Sequence, residues 1–93
     1  MAVKDEKTMK IELCKAFVAL ETVEEAEKFL DDLCTIKELE AMSQRLGAAK
    51  MLLQGKTYNE VVEATEISSA TLARVSKCVR YGDGGYQEVI KKL

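Results

Sequence analysis

Apolar residues return every three to four positions along most of this chain, the spacing of one face of a helix. Met9, Leu13, Ala16 and Leu20 form one stripe, and Ile11, Cys14, Phe17 and Val18 extend the apolar surface well beyond it. A helix apolar over so much of its girth needs partners on several sides. From Thr22 a second helix is predicted, with Val23, Ala26, Phe29, Leu30 and Leu33 on one face. Its other face, Glu24, Glu25, Glu27, Lys28, Asp31 and Asp32, is solvated. The longest helix is predicted from Ile36 to about Gln54, where Leu39, Met42, Leu46, Ala49 and Leu53 alternate spacings of three and four. Such a seam suits packing of helix on helix. Gly47, Ala48 and Ala49 at mid-helix let a neighbouring backbone approach closely, with Gly47 costing about 1 kcal/mol of helix propensity. Gly55 is the stop signal.

Three pairs carry the pattern of a capping box, in which a Thr hydroxyl accepts from the amide three residues on and a Glu there reaches back. They are Thr22 with Glu25, Thr35 with Glu38, and Thr57 with Glu60, and each marks a helix start. After the third box the chain reads as a helix of about eight residues, a tight turn, and a second helix capped by Ser68 or Ser69. Val61, Val62, Ile67, Leu72 and Val75 fall where two steeply crossing helices share a small core. A helix-turn-helix is therefore predicted over residues 57–80. Its turn holds Glu66 where glycine is usual, and positive φ at a non-glycine residue costs about 1 kcal/mol. Either the turn has another shape or it carries that strain. Tyr81 to Gly85 is a loop by composition, and residues 86–93 suffice for a short final helix. No repeat or linker divides the chain, so residues 1–93 are expected to form a single all-α domain.

Composition narrows the chemistry. Histidine and proline are absent, which removes imidazole acid/base catalysis and Cys/His zinc sites. Cys14, Cys34 and Cys78 are odd in number and share no CxxC spacing, so reduced thiols are expected and neither a disulfide framework nor a metal site. No grouping of nucleophile, base and orienting residue is visible, so no enzyme activity and no cofactor are expected. The N-terminal run from Lys4 to Lys7 is charged, and no apolar stretch reaches the length of a signal core or membrane span. A cytoplasmic protein with no membrane partner is expected.

Net charge is -2, yet its distribution matters more than its sum. Residues 1–34 carry five Lys/Arg against nine Asp/Glu, whereas residues 67–93 carry five against two. Arg74, Lys77 and Arg80 stand in a stretch, 67–82, with no acid. On the second helix of the pair, Ser69, Ala70, Ala73, Arg74 and Lys77 face away from the predicted core, with Ser68 at the cap and Thr71 near the edge. Small residues at a helix N-terminus let it come close to the floor of a major groove, and its free amides can meet a phosphate. Arg74 and Lys77 then reach base edges or backbone, while Lys56 and Arg80 are placed for phosphates. Double-stranded DNA is the expected partner. Two other readings stand beside it: two packed helices with a solvated charged face, and a helical protein-interaction module whose acidic N-terminal half docks a partner and which binds no DNA.

At this point the sequence resembles the Trp repressor family, and more closely its YerC/YecD branch. The resemblance rests on Thr35 with Glu38, Glu40-Ala41-Met42, Arg45, the run Leu52-Leu53-Gln54-Gly55, and Ala70-Thr71-Leu72-Ala73-Arg74 followed by Ser76. It implies six helices per subunit and an intertwined homodimer, with residues 8–54 supplying the dimerisation helices. It also implies a regulator, expected to be a repressor, on a near-palindromic operator whose successive major grooves lie about 34 Å apart. For an effector pocket it implies two arginines about an indole ring, here Arg45 and Arg74, together with Thr35 and Thr71. Two positions depart from that pattern. Val75 stands where a glycine leaves room for the ring, and Cys78 replaces a serine that holds the ligand's amino group, a weak partner. DNA binding without tryptophan as corepressor is expected, with any small-molecule effector unidentified. Arg45 is expected either at a ligand or in an exposed salt bridge, and Cys78 to be a half-buried packing residue.

Overall fold

The computed structural model describes residues 5–93; residues 1–4, including Lys4, lie outside them. Among the described residues the chain is all-helical: α1 Glu6–Ala19, α2 Val23–Leu33, α3 Ile36–Leu53, α4 Tyr58–Thr65, α5 Ser69–Tyr81 and α6 Gly85–Ile90. No helix among them is long and apolar enough to cross a membrane. The chain forms two packed units, the first ending at Ile36 and the second running Lys37–Leu93.

The first unit is made by local chemistry. Asp5 caps α1: its carboxylate accepts from the Lys7 amide at 3.1 Å and from the Thr8 hydroxyl at 2.8 Å. Thr22 caps α2 by accepting from the Glu25 amide at 3.1 Å, and its hydroxyl in turn donates to the Glu25 carboxylate at 3.4 Å. The pair thus works as predicted on one side, with the carboxylate turned to the hydroxyl instead of the cap amide. Phe17 and Phe29 meet edge to face, ring centres 5.7 Å apart at 82°, the arrangement favoured by the ring quadrupoles. No residue of α1 or α2 is buried.

The second unit has a core. Ala48 and Ala49 of α3, Val61 of α4, Ile67 of the turn, and Leu72 and Val75 of α5 are buried together, with Met51, Leu52, Val79, Tyr86 and Ile90 packed around them. α3 begins directly after Thr35, as predicted, and its inward contact is made through alanines. Leu46 and Leu53, two members of the predicted leucine seam, are exposed. A Cβ placed on Gly47 would meet only Thr65 Cγ2, at 3.9 Å, so the close approach runs over Ala48 and Ala49 and not over the glycine. Val62, predicted in the core, is 38% exposed. Adjacent residues on a helix point about 100° apart, and so short a helix turns only Val61 inward. Gly55, at φ +85°, ends α3 in the conformation that lacks a Cβ penalty. α6 stops at Ile90, three residues short of the predicted end, and Lys91 and Lys92 continue as a turn. Gln87 of α6 donates its side-chain amide to the Val79 carbonyl of α5.

Candidate nucleic-acid interface

The helix pair α4–α5 is set by its ends. At the start of α4 the Thr57–Glu60 box is complete: the Thr57 hydroxyl accepts from the Glu60 amide at 3.2 Å and the Glu60 carboxylate accepts from the Thr57 amide at 2.9 Å. The Thr57 backbone amide foremost, and the Thr57 hydroxyl after it, hold the Glu60 carboxyl below the ordinary glutamate range, with a smaller contribution from Lys56. At the far end, Glu66 takes the left-handed conformation, φ 59° and ψ 19°, and its amide donates to the Val62 carbonyl at 2.8 Å. The turn keeps the shape that a glycine would favour and carries the strain of a side chain there, about 1 kcal/mol. Thr65 brackets it: its hydroxyl donates to the Val61 carbonyl at 2.7 Å and accepts from the Ile67 amide at 3.3 Å.

Ser68, not Ser69, is the cap of α5, accepting from the Thr71 amide at 3.2 Å and donating to the Thr71 hydroxyl at 2.9 Å. From there the helix sorts its residues by period. Leu72, Val75 and Ser76 are buried and Val79 half-buried, spacings of three, one and three that keep them on one face. Ser69, Ala70, Ala73, Arg74, Lys77 and Arg80 are exposed, and Thr71 is half-buried at the boundary. Lys56, before the Thr57 cap, is exposed, its amide donating to the Met51 carbonyl at 3.0 Å. The leading tip of α5 is open, its first turn bears no acid, and the cations lie beyond it.

Tyr81, which the sequence did not single out, stands 81% exposed at the end of α5. It shares a shallow groove of about 350 Å³ with Arg74, Lys77, Cys78 and Gly82. Gly82 closes the helix with its amide on the Cys78 carbonyl at 2.8 Å. A Cβ at Gly82 would strike that same carbonyl, so the close approach requires glycine.

Behind the exposed face lies a cleft of about 250 Å³, lined by Ala41, Gln44, Arg45, Thr71, Arg74, Val75, Cys78 and Tyr86. Five of the six residues expected at an effector pocket are there: Arg45, Thr71, Arg74, Val75 and Cys78. The sixth, Thr35, belongs to the first unit. Val75 is buried in the core while bordering the cleft, and Cys78 is exposed instead of half-buried. Cys78 lies off the Leu72–Val75–Val79 stripe, which is the physical reason. Arg45 is half-buried and, among the described residues, has no ion-pair partner; the salt bridge present is Lys15 with Glu12 at 3.3 Å. Ala41 and Gln44 border the cleft beside Arg45. Ala41 was legible as its neighbour one helical turn earlier, whereas nothing in the sequence marks Tyr86.

Comparison with known proteins agrees with the resemblance. The family model described as Trp repressor protein matches residues 9–93. The uncharacterized protein YerC of Bacillus subtilis (strain 168) is 38% identical over 82 residues, 88% of this chain and 79% of that protein. A candidate Trp repressor from Staphylococcus aureus superposes with a TM-score of 0.87 at 38% identity, over 91% of this chain and 85% of that one. A TrpR-like protein from Eubacterium eligens ATCC 27750 gives 0.88 at 36%, over 98% and 94%. Six helices among the described residues, a helix-turn-helix with an outward basic face, and relatives matching over most of their own length lead to one assignment: the chain belongs to the Trp repressor family.

Proposed function

We propose that this protein is a sequence-specific DNA-binding transcriptional regulator acting as a repressor: a homodimer that sets α5 of each subunit into the major groove of a near-palindromic operator. The observation that carries the proposal is the division of α5, whose buried Leu72, Val75 and Ser76 hold it to the core while Ser69, Ala70, Ala73, Arg74 and Lys77 stand free. Ser69 and Ala70 at the tip leave the backbone room to approach, Arg74 and Lys77 supply base or phosphate contacts, and Lys56 and Arg80 supply phosphates. Ser68 and Thr71 fix the tip through the cap described above.

The dimer is favoured by what one chain leaves uncovered. Met9, Ile11, Leu13, Phe17 and Val18 of α1 are exposed, as are Val23 and Leu33 of α2. In the second unit Leu46, Tyr86 and Val89 line an open, mainly apolar groove of about 550 Å³. A second copy of the chain offers matching apolar surface, and residues 8–54 are the dimerisation segment on this proposal. Regulation without tryptophan is favoured by Val75 at the cleft wall and by a volume below the range of about 300–1,000 Å³ usual for ligand pockets.

The test is DNA selection from a randomised pool, followed by titration of the selected site with the parent, Arg74→Ala and Lys77→Ala. Arg74→Ala is expected to cost about 1–3 kcal/mol and relax one base position. Lys77→Ala is expected to weaken binding and lower the slope of log affinity on log salt by about 1. Both variants binding as the parent does would remove α5 from the interface. Added tryptophan is expected to leave the parent's affinity unchanged, and a gain would overturn that part of the proposal.

A further inference from the structure

We propose that Gln44 is a positioning residue for the reading helix, the side chain on α3 that fixes the turn of the helix-turn-helix. Its Nε2 donates to the Thr65 carbonyl at 2.8 Å across 21 residues of sequence, in partly buried surroundings. Thr65 is the last residue of α4, and the last carbonyls of a helix have no partner within it. The Thr65 hydroxyl and the Glu66 amide close the turn upon itself, through Val61, Ile67 and Val62. Those bonds shape the turn but do not attach it to anything else. Gln44 does: it ties the junction of α4 and α5 to the long helix.

Beside this bond, α3 meets the pair through an apolar core, in which Ala48 and Ala49 are buried with Val61, Ile67, Leu72 and Val75 while Met51 and Leu52 pack at its edge. Apolar contact is non-directional, and alanines present little shape to lock a neighbour in one orientation. A hydrogen bond prefers a narrow range of distance and angle. Gln44 therefore supplies the orientation that the alanine contact lacks, and the direction in which α5 leaves the protein follows from it. Its consequence for DNA rests on the function proposed above.

The substitution Gln44→Met keeps the length and helix propensity and removes the donor. Loss of one such bond is expected to raise amide exchange about 3- to 10-fold at Glu66 and Ile67, whose amides report the turn. The melting temperature is expected to stay within a few degrees of the parent's. Selection from randomised DNA should return a relaxed motif, because a reading helix free to tilt no longer aligns its side chains with one set of base edges. Should Gln44→Met fail to fold, Gln44→Glu, of the same shape but without the donor when ionised, takes its place with the same expectation.

Turn amides exchanging at the parent rate would overturn the proposal. So would a rise by one common factor throughout Lys37–Leu93, which marks a loss of global stability, or a loosened turn with an unchanged motif. A parent that selects no DNA at all sinks the regulatory function instead, and the exchange rates still decide whether Gln44 holds the turn.

Discussion

The two units of this chain spend their apolar residues differently. In Lys37–Leu93 six residues are buried together and the exposed face of α5 is polar, small or basic. In the stretch before it, α1 and α2 bury nothing, although Met9, Ile11, Leu13, Phe17, Val18 and Val23 are as apolar as anything in the core. The second unit has a core of its own, although Leu46 and Val89 remain exposed on it. On the function proposed above the first is half of an interface, since apolar surface on this scale is rarely left in water. What differs is that the second unit buries an apolar core of its own, whereas on the function proposed above the apolar face of α1 and α2 is covered by a second copy.

A pair of substitutions sharpens this contrast most. Leu72, 1% exposed at the centre of the core, is expected to cost about 2–5 kcal/mol on replacement by alanine. That loss should be the same at every protein concentration. Val18, 84% exposed on α1, should behave in the opposite way when replaced by aspartate. The dilute chain is expected to be unaffected, while the rise of melting temperature with concentration that a dimer shows should be lost. Thermal melts over a hundredfold range of concentration separate the two, with sedimentation as a check. If the Val18→Asp melts still climb with concentration as the parent's do, the α1 face does not cover a second copy.

Helix starts and the division of α5 were legible in the sequence because both are local. Thr57 with Glu60, Thr22 with Glu25 and Ser68 carry their partners within three residues, and a 3.6-residue period placed Leu72, Val75, Arg74 and Lys77 on their proper sides. The misplacements have a common cause. Val62 is as apolar as Val61, and only the direction from which α3 approaches decides which of them turns inward. Leu46 and Leu53 complete a packing seam by spacing, but the neighbour within the chain came in over Ala48 and Ala49. Gln44 and Tyr86 had no signature, since a contact spanning 21 residues in the one case, and a helix reached through a glycine loop in the other, leaves no periodic trace.

The turn at Glu66 offers a smaller effect, confined to the second unit. Its left-handed backbone, φ 59°, is strained for glutamate and relaxed for glycine. Glu66→Gly is expected to gain up to about 1 kcal/mol, the relief of strain being offset in part by the freer unfolded chain. Urea unfolding measures it. The gain should appear without change in DNA affinity, since Glu66 faces solvent and the turn keeps its shape. A loss of stability would mean that the side chain makes up for the strain it causes.

The smallest effect lies at the other end of α4 and depends on pH. The Glu60 carboxylate accepts from the Thr57 amide, which holds its folded-state pKa below the unfolded value. A depressed carboxyl stabilises the fold above the unfolded pKa, and that contribution is lost as pH falls through the folded one. In a carbon-detected titration, Glu60 should therefore be among the last glutamates to protonate on acidification. Thr57→Ala keeps the backbone donor, the larger cause, and removes only the hydroxyl, so the Glu60 pKa should rise part of the way towards the ordinary value. Lys56→Ala removes the weakest of the three lowering influences and should move it less. A full return in Thr57→Ala would assign the shift to the hydroxyl and not to the amide, and the box would then be held from one side only, as it is at Thr22.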